Sequence, residues 1–167
     1  MAGSHIAIPT ILKIGSGTLG NVGKYLQSSG FRKAVVFFGN GLVEMFGKTV
    51  MDSLSEADIE VLSYCELDTT DIKDIIDLAF TIDAKTQVIL GIGGGKVIDA
   101  GKYAAYLRKL PFISMPTSAS SDGFSSASAS LLVNGKRTSA STHGIWNRGG
   151  YGCIEVRTDE VLIFRYR

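Results

Sequence analysis

The sequence predicts an α/β chain built on a doubly wound, mostly parallel sheet, with helices on both faces and a β-hairpin at its end. Three observations carry that expectation. Strand-length apolar runs alternate with helical periodicities. The runs are continuous rather than alternating in polarity, as in strands covered on both faces. Gly93, Gly94 and Gly95 stand where one run hands over to a helix, the arrangement of a Rossmann-like sheet.

Ile11 to Gly17 reads as a short first strand leading into a glycine-rich turn. Lys33 to Gly39 and Ile59 to Cys65 are rich in β-branched and aromatic residues, and Thr86 to Ile92 and Phe112 to Thr117 complete the set of strands. Between the second and third, Leu42, Val43, Phe46, Val50, Met51 and Leu54 fall on one helical stripe. Between the third and fourth, Ile72, Ile75, Ile76, Ala79 and Phe80 recur at three and four residues; Thr70 is the expected N-cap, and Asp71 and Asp74 suit the helix dipole. Val97 to Leu107 forms the helix after the glycines. The order is βαβαβαβαβ, and ligands of such sheets bind beyond the carboxyl ends of the strands. After Thr117 comes the polar segment SASSDGFSSASAS, and Asn134-Gly135 between two short runs then signals a hairpin. From about Thr142 no periodic helix continues the alternation.

Composition narrows the function classes. With 45% hydrophobic and 20% charged residues the chain buries a real core, and a net charge of +1 gives no footprint for nucleic acid. MAGSHIAIPT has no basic segment followed by an apolar one, and no apolar run reaches membrane-spanning length, so membrane insertion is not expected and a cytoplasmic location is. Cys65 and Cys153 lie far apart, and neither has a second sulfur or a histidine at metal-ligand spacing. His5 and His143, the only imidazoles, read as solvated surface residues.

Three glycine-rich stretches compete as a ligand site. Gly15, Gly17 and Gly20 have GxGxxG spacing, but Gly39-Asn40 stands where an acid should hold a ribose hydroxyl. Gly95-Lys96 has the letters of a Walker A loop, yet Leu90 replaces its first glycine and Val97 its magnesium-binding hydroxyl. The third stretch is GIGGGKVIDAGK itself. Missing Cβ atoms let a ligand approach the backbone, and the N–H groups at a helix start are anion donors, which suits a pyrophosphate. Lys96 adds a point charge, and Asp99, one turn on, serves a polar ligand group or orients the loop. Pro116 to Ser126, PTSASSDGFSS, ends the next strand on the same rim of the sheet. It offers the hydroxyls of Thr117, Ser118 and Ser120, with Asp122 beside Gly123.

GIGGGKVIDAGKYAAY followed by PFISMPTSASSDGFSSASASLLVNGKR resembles the cofactor half of the sn-glycerol-1-phosphate dehydrogenases. That group shares a superfamily with glycerol dehydrogenase, iron-containing alcohol dehydrogenases and dehydroquinate synthase. The resemblance runs from about Ile11 to Ser139 and is strongest from Gly91 to Arg137. It implies NAD or NADP on Gly93, Gly94, Gly95, Lys96 and Asp99, reached from the next loop by Thr117, Ser118 and Ser120 and closed over by Ser126, with Asp122 against the substrate. It implies hydride transfer between NAD(P)H and dihydroxyacetone phosphate, a small phosphorylated ketone, in phospholipid biosynthesis, with a homo-oligomer as one option.

In a complete family member the resemblance implies a Zn2+ held by one Asp and two His of a helical second domain, and none of the three has a counterpart here. No catalytic residue or metal ligand is therefore assigned. The expected organisation is a nucleotide-binding domain over residues 1–141 and a non-homologous tail over 142–167, from a frameshift or an altered gene end, with the metal-binding domain absent. Other glycerol or alcohol dehydrogenase-like members, a dehydroquinate synthase-like lyase and a non-catalytic nucleotide-binding module remain as alternatives.

Overall fold

β2 (Lys33–Gly39) shows why the sheet carries helices on both sides. Ala34, Val36 and Phe38 point to one face and Val35 and Phe37 to the other, and all five are buried. The computed structural model describes residues 11–15, 18–117, 126, 128–142, 152–156 and 161–165, with side chains for 19–117, 126 and 128–142.

β1 (Ile11–Gly15) and a 3-10 turn (Thr18–Asn21) lead into α1 (Val22–Ser28). After β2, a π-helical segment (Val43–Gly47) runs into α2 (Lys48–Glu56). β3 (Glu60–Leu67), α3 (Ile72–Thr81), β4 (Val88–Gly93), α4 (Gly95–Arg108) and β5 (Phe112–Pro116) continue the alternation. β6 (Ser128–Val133) and β7 (Lys136–Ser141) form the expected hairpin through Asn134 and Gly135, both at positive φ.

The main sheet has seven strands in the order β1-β9-β8-β5-β4-β2-β3, and β5, β4, β2 and β3 pair in parallel. β8 (Gly152–Val156) and β9 (Val161–Arg165) complete it: β8 runs parallel to β5, and β9 lies antiparallel between β8 and β1. Sequence reading did not anticipate them: their place depends on pairing with β5 and β1, far away in the chain.

The two faces have separate cores. Val22 and Leu26 of α1 and Val50 and Leu54 of α2 pack with Val36, Phe38, Leu90 and Ile92. On the other face Ile75 and Ala79 of α3 and Ile98, Ala104 and Ala105 of α4 pack with Phe37, Ile89 and Leu131 of β6. The helices therefore segregate as α1 and α2 against α3 and α4, the doubly wound arrangement.

Local expectations fail in three places. The N-cap of α3 is Asp71, whose carboxylate accepts from the Lys73 N–H, and not Thr70. Phe80 is 79% exposed, since the buried line runs through Ile75 and Ala79 of α3 to Ile82 just past its end. β3 is half exposed because it is the last strand on its side of the sheet.

α4 lies unusually close to the sheet. A Cβ on Gly101 would stand 2.5 Å from the Phe112 ring, and one on Gly91 of β4 2.6 Å from the same ring. Phe112, 1% exposed, thus occupies a slot made by two missing side chains. Phe112→Ala is expected to cost about 3–5 kcal/mol through the cavity it leaves. Gly101→Ala is expected to cost about 1–3 kcal/mol through overpacking. Urea unfolding followed by circular dichroism measures both, and a neutral Gly101→Ala would show that the slot is not tight.

Candidate functional site

The chain passes from β2 to β3 in one direction along the sheet, then places β4 and β5 on the other side of β2. The order reverses between β2 and β4, so the crevice beyond their carboxyl ends is the topological switch point where doubly wound sheets take ligands. Both strands end there in glycine. Phe38 pairs with Ile92, and the next residues are Gly39 and Gly93. A Cβ on Gly93 would lie 3.2 Å from the Gly39 nitrogen and 2.5 Å from a Val97 methyl, and its φ of +148° is one that side-chain-bearing residues rarely adopt. Only glycine lets the two strand ends come this near.

Gly94 has a different reason to be glycine. It is the N-cap of α4 with extended backbone and brings no side chain to the first-turn N–H groups. Among the described residues nothing lies within 4 Å of where its Cβ would be, so they leave the space above the turn open. Thr117 closes the other side: its N–H donates to the Gly93 carbonyl at 3.0 Å, fixing the end of β5 against the turn.

The charged residues of α4 have distinct partners. Lys96 extends across the crevice to Asp68, just past β3, at 2.7 Å, with both side chains more than half exposed. Asp99 and Lys102 face the hairpin instead. Their ion pair is 3.2 Å long, with side chains only 14% and 5% exposed. Burial pushes the Asp99 carboxyl above its ordinary value, against the pull of Lys102, the Ser130 N–H and Arg137. The Lys102 ammonium also donates to the Ser128 carbonyl at 2.6 Å and lies 3.3 and 3.4 Å from the Ser126 carbonyl and hydroxyl.

The structure thus gathers Gly93, Gly94, Gly95, Lys96 and Thr117 at one crevice, with Asp99 and Ser126 on the hairpin side of the same helix. Ser118, Ser120 and Asp122 lie outside the described residues. Sequence reasoning missed Asp68 and Lys102. The signal for Lys102 was a lone charge among the small residues of AGKYAA, three positions after an acid. Asp68 carried none.

An anion at the head of α4 fits what is present: an uncapped helix start, open space at Gly94 and a lysine at the rim. Among the described residues no three His, Cys, Asp or Glu side chains could hold an ion. Nor is any described helix long and apolar enough to cross a membrane.

A doubly wound sheet with a glycine turn at its switch point defines a nucleotide-binding class of fold. The family model for iron-containing alcohol dehydrogenase matches residues 13–144, and the chain belongs to that family. Glycerol-1-phosphate dehydrogenase (NAD(P)+) of Thermoplasma volcanium is 40% identical over 111 residues, 65% of this chain and 31% of that protein. The enzyme of the same name from Methanosarcina barkeri is 31% identical over 136 residues, 80% of this chain and 38% of its own. The crystal structure of glycerol dehydrogenase from Schizosaccharomyces pombe superposes with a TM-score of 0.69 at 27% identity, over 76% of this chain and 33% of that one. The chain spans about a third of the length of these relatives.

The two glycines predict opposite outcomes for stability. Gly93→Ala meets both a forbidden φ and Val97, and is expected to destabilise by about 1–3 kcal/mol. Gly94→Val has room and an ordinary φ, and is expected to melt within a few degrees of the parent, about 1 kcal/mol or less. Differential scanning calorimetry separates them. Equal losses would place Gly94 in a packed environment and remove the open turn.

Proposed function

We propose that the chain supplies the cofactor-binding part of an NAD(P)-dependent glycerol-1-phosphate dehydrogenase. The observation that supports this most directly is the glycine turn at the switch point, open and uncapped among the described residues, in a chain whose relatives include such enzymes. In this reading the first-turn N–H groups of α4 take the pyrophosphate, and Gly94 lets it approach the backbone. Lys96 exchanges Asp68 for the phosphate charge. Thr117 and Ser126, with Ser118 and Ser120, serve the nicotinamide side, and Asp122 meets the hydroxyls of a small phosphorylated ketone.

NAD(P)H held by these residues would supply hydride chemistry at the carbonyl of dihydroxyacetone phosphate. The chain's own residues bind and orient. Gly39 and Asn40 at the end of β2 offer no acid to hold a ribose pair or repel a 2′-phosphate, so the reading takes NAD and NADP alike. A divalent metal, the cytoplasmic location and a role in making phospholipid belong to the proposal for the complete enzyme. The domain division at residue 141 is likewise proposed.

Titration of the 167-residue chain with NADH and NADPH, followed by cofactor fluorescence, tests the reading. Both are expected to bind, with affinities within about tenfold of each other. Gly94→Val is expected to weaken both by at least about a hundredfold while leaving the fold intact. Unchanged affinity in that variant would move the site away from the turn. A second reading, a dinucleotide-binding module without chemistry, is favoured by the missing ligand set among the described residues. Reduction of dihydroxyacetone phosphate by a preparation containing one zinc per chain would rule it out.

A further inference from the structure

Lys102 is the one described lysine that is buried, and none of the roles above uses it. It lies near the middle of α4, and its ammonium reaches the Asp99 carboxylate one turn earlier, the carbonyl and hydroxyl of Ser126 and the Ser128 carbonyl at the start of β6. Asp99 is tied to the same hairpin independently, through the Ser130 N–H and the nearby Arg137 charge. Ser126 is bound into the group as well, its hydroxyl donating to the Ser128 carbonyl at 2.9 Å. A buried cation stays charged only where acceptors surround it, and this one has gathered them from the helix and the hairpin alike.

We propose that Lys102 is a positioning residue, tying the Asp99 carboxylate to the Ser126 and Ser128 carbonyls and so holding the hairpin edge against α4 where the nicotinamide half of the cofactor lies alongside it. The inference rests on the nucleotide reading and extends it. Lys102 itself is too enclosed to touch the ligand. It acts through Asp99 and Ser126, the two expected cofactor contacts on the hairpin side of α4. The glycine turn, which takes the adenosine and pyrophosphate half, is held by other contacts: Gly39 beneath Gly93, and the Thr117 N–H on the Gly93 carbonyl. Loss of Lys102 should therefore divide the cofactor in two.

That division gives a readout that general destabilisation would not produce. Affinities for ADP and for NADH are measured on the 167-residue chain, on Lys102→Met, and on Lys102→Gln, which keeps a donor for Ser128 and serves if the methionine variant does not fold. Thermal melting establishes which variants are folded. NADH binding is expected to weaken by about tenfold in Lys102→Met and by less in Lys102→Gln, with ADP binding within about twofold of the parent in both. NADH affinity unchanged in either folded variant would overturn the proposal, as would parallel loss of ADP and NADH, the mark of a purely structural role. If the parent chain bound neither ligand, the nucleotide reading would fail first and carry this inference with it. That outcome is visible before any substitution is made.

Discussion

The close packing of α4 between the sheet and the hairpin is the constraint on which the rest of the site depends. Ala100, Gly101, Ala104 and Ala105 keep the helix backbone near β4 and β5, with Phe112 filling the slot that Gly91 and Gly101 leave open. The hairpin covers the opposite side through Ala129 and Leu131 of β6. Polar residues on the two enclosed faces cannot turn to water. Each must find an internal partner or sit at an end. Asp99 and Lys102 do the first; Lys96, at the open N-terminus, does the second. The position of the helix start, and hence of the glycine turn, follows from the packing of its body.

Much of this was legible in the sequence, for identifiable physical reasons. Strands such as Lys33–Gly39 are buried on both faces and therefore read as unbroken apolar runs. The stripe of Val50 and Leu54 is visible because α2 buries one side only. The glycine turn shows because three adjacent residues without Cβ have few uses at a strand-to-helix junction. The reversal of strand order between β2 and β4 is different in kind. It depends on which strand pairs with which, a long-range fact that no local window contains, yet it is what makes Gly39 and Gly93 one crevice. Phe80 misled for the converse reason. Its spacing fits the apolar repeat of α3, but the neighbouring Ile75–Ala79–Ile82 line won the core, and the phenyl ring was left outside. The strands at Gly152–Val156 and Val161–Arg165 owe their place to pairing partners far away in the chain.

The two lysines of α4 show how environment divides the work of one side-chain chemistry. Lys96 and Asp68 meet at 2.7 Å, a shorter contact than the 3.2 Å between Lys102 and Asp99, so distance alone would rank the Lys96 pair as the stronger. Solvation reverses that ranking. An ion pair more than half exposed on both sides contributes about 0–1 kcal/mol, little enough for a phosphate to displace the carboxylate. Removing one partner of a buried pair costs about 3–5 kcal/mol, because the other charge is left in a medium that cannot solvate it. Lys96 is thus free to exchange partners when an anion arrives at the helix start. Lys102 must keep the partners it has whether or not a ligand is present. Within two turns of one helix the fold holds a cation available for recognition at the helix start and a cation committed to the geometry of the hairpin side.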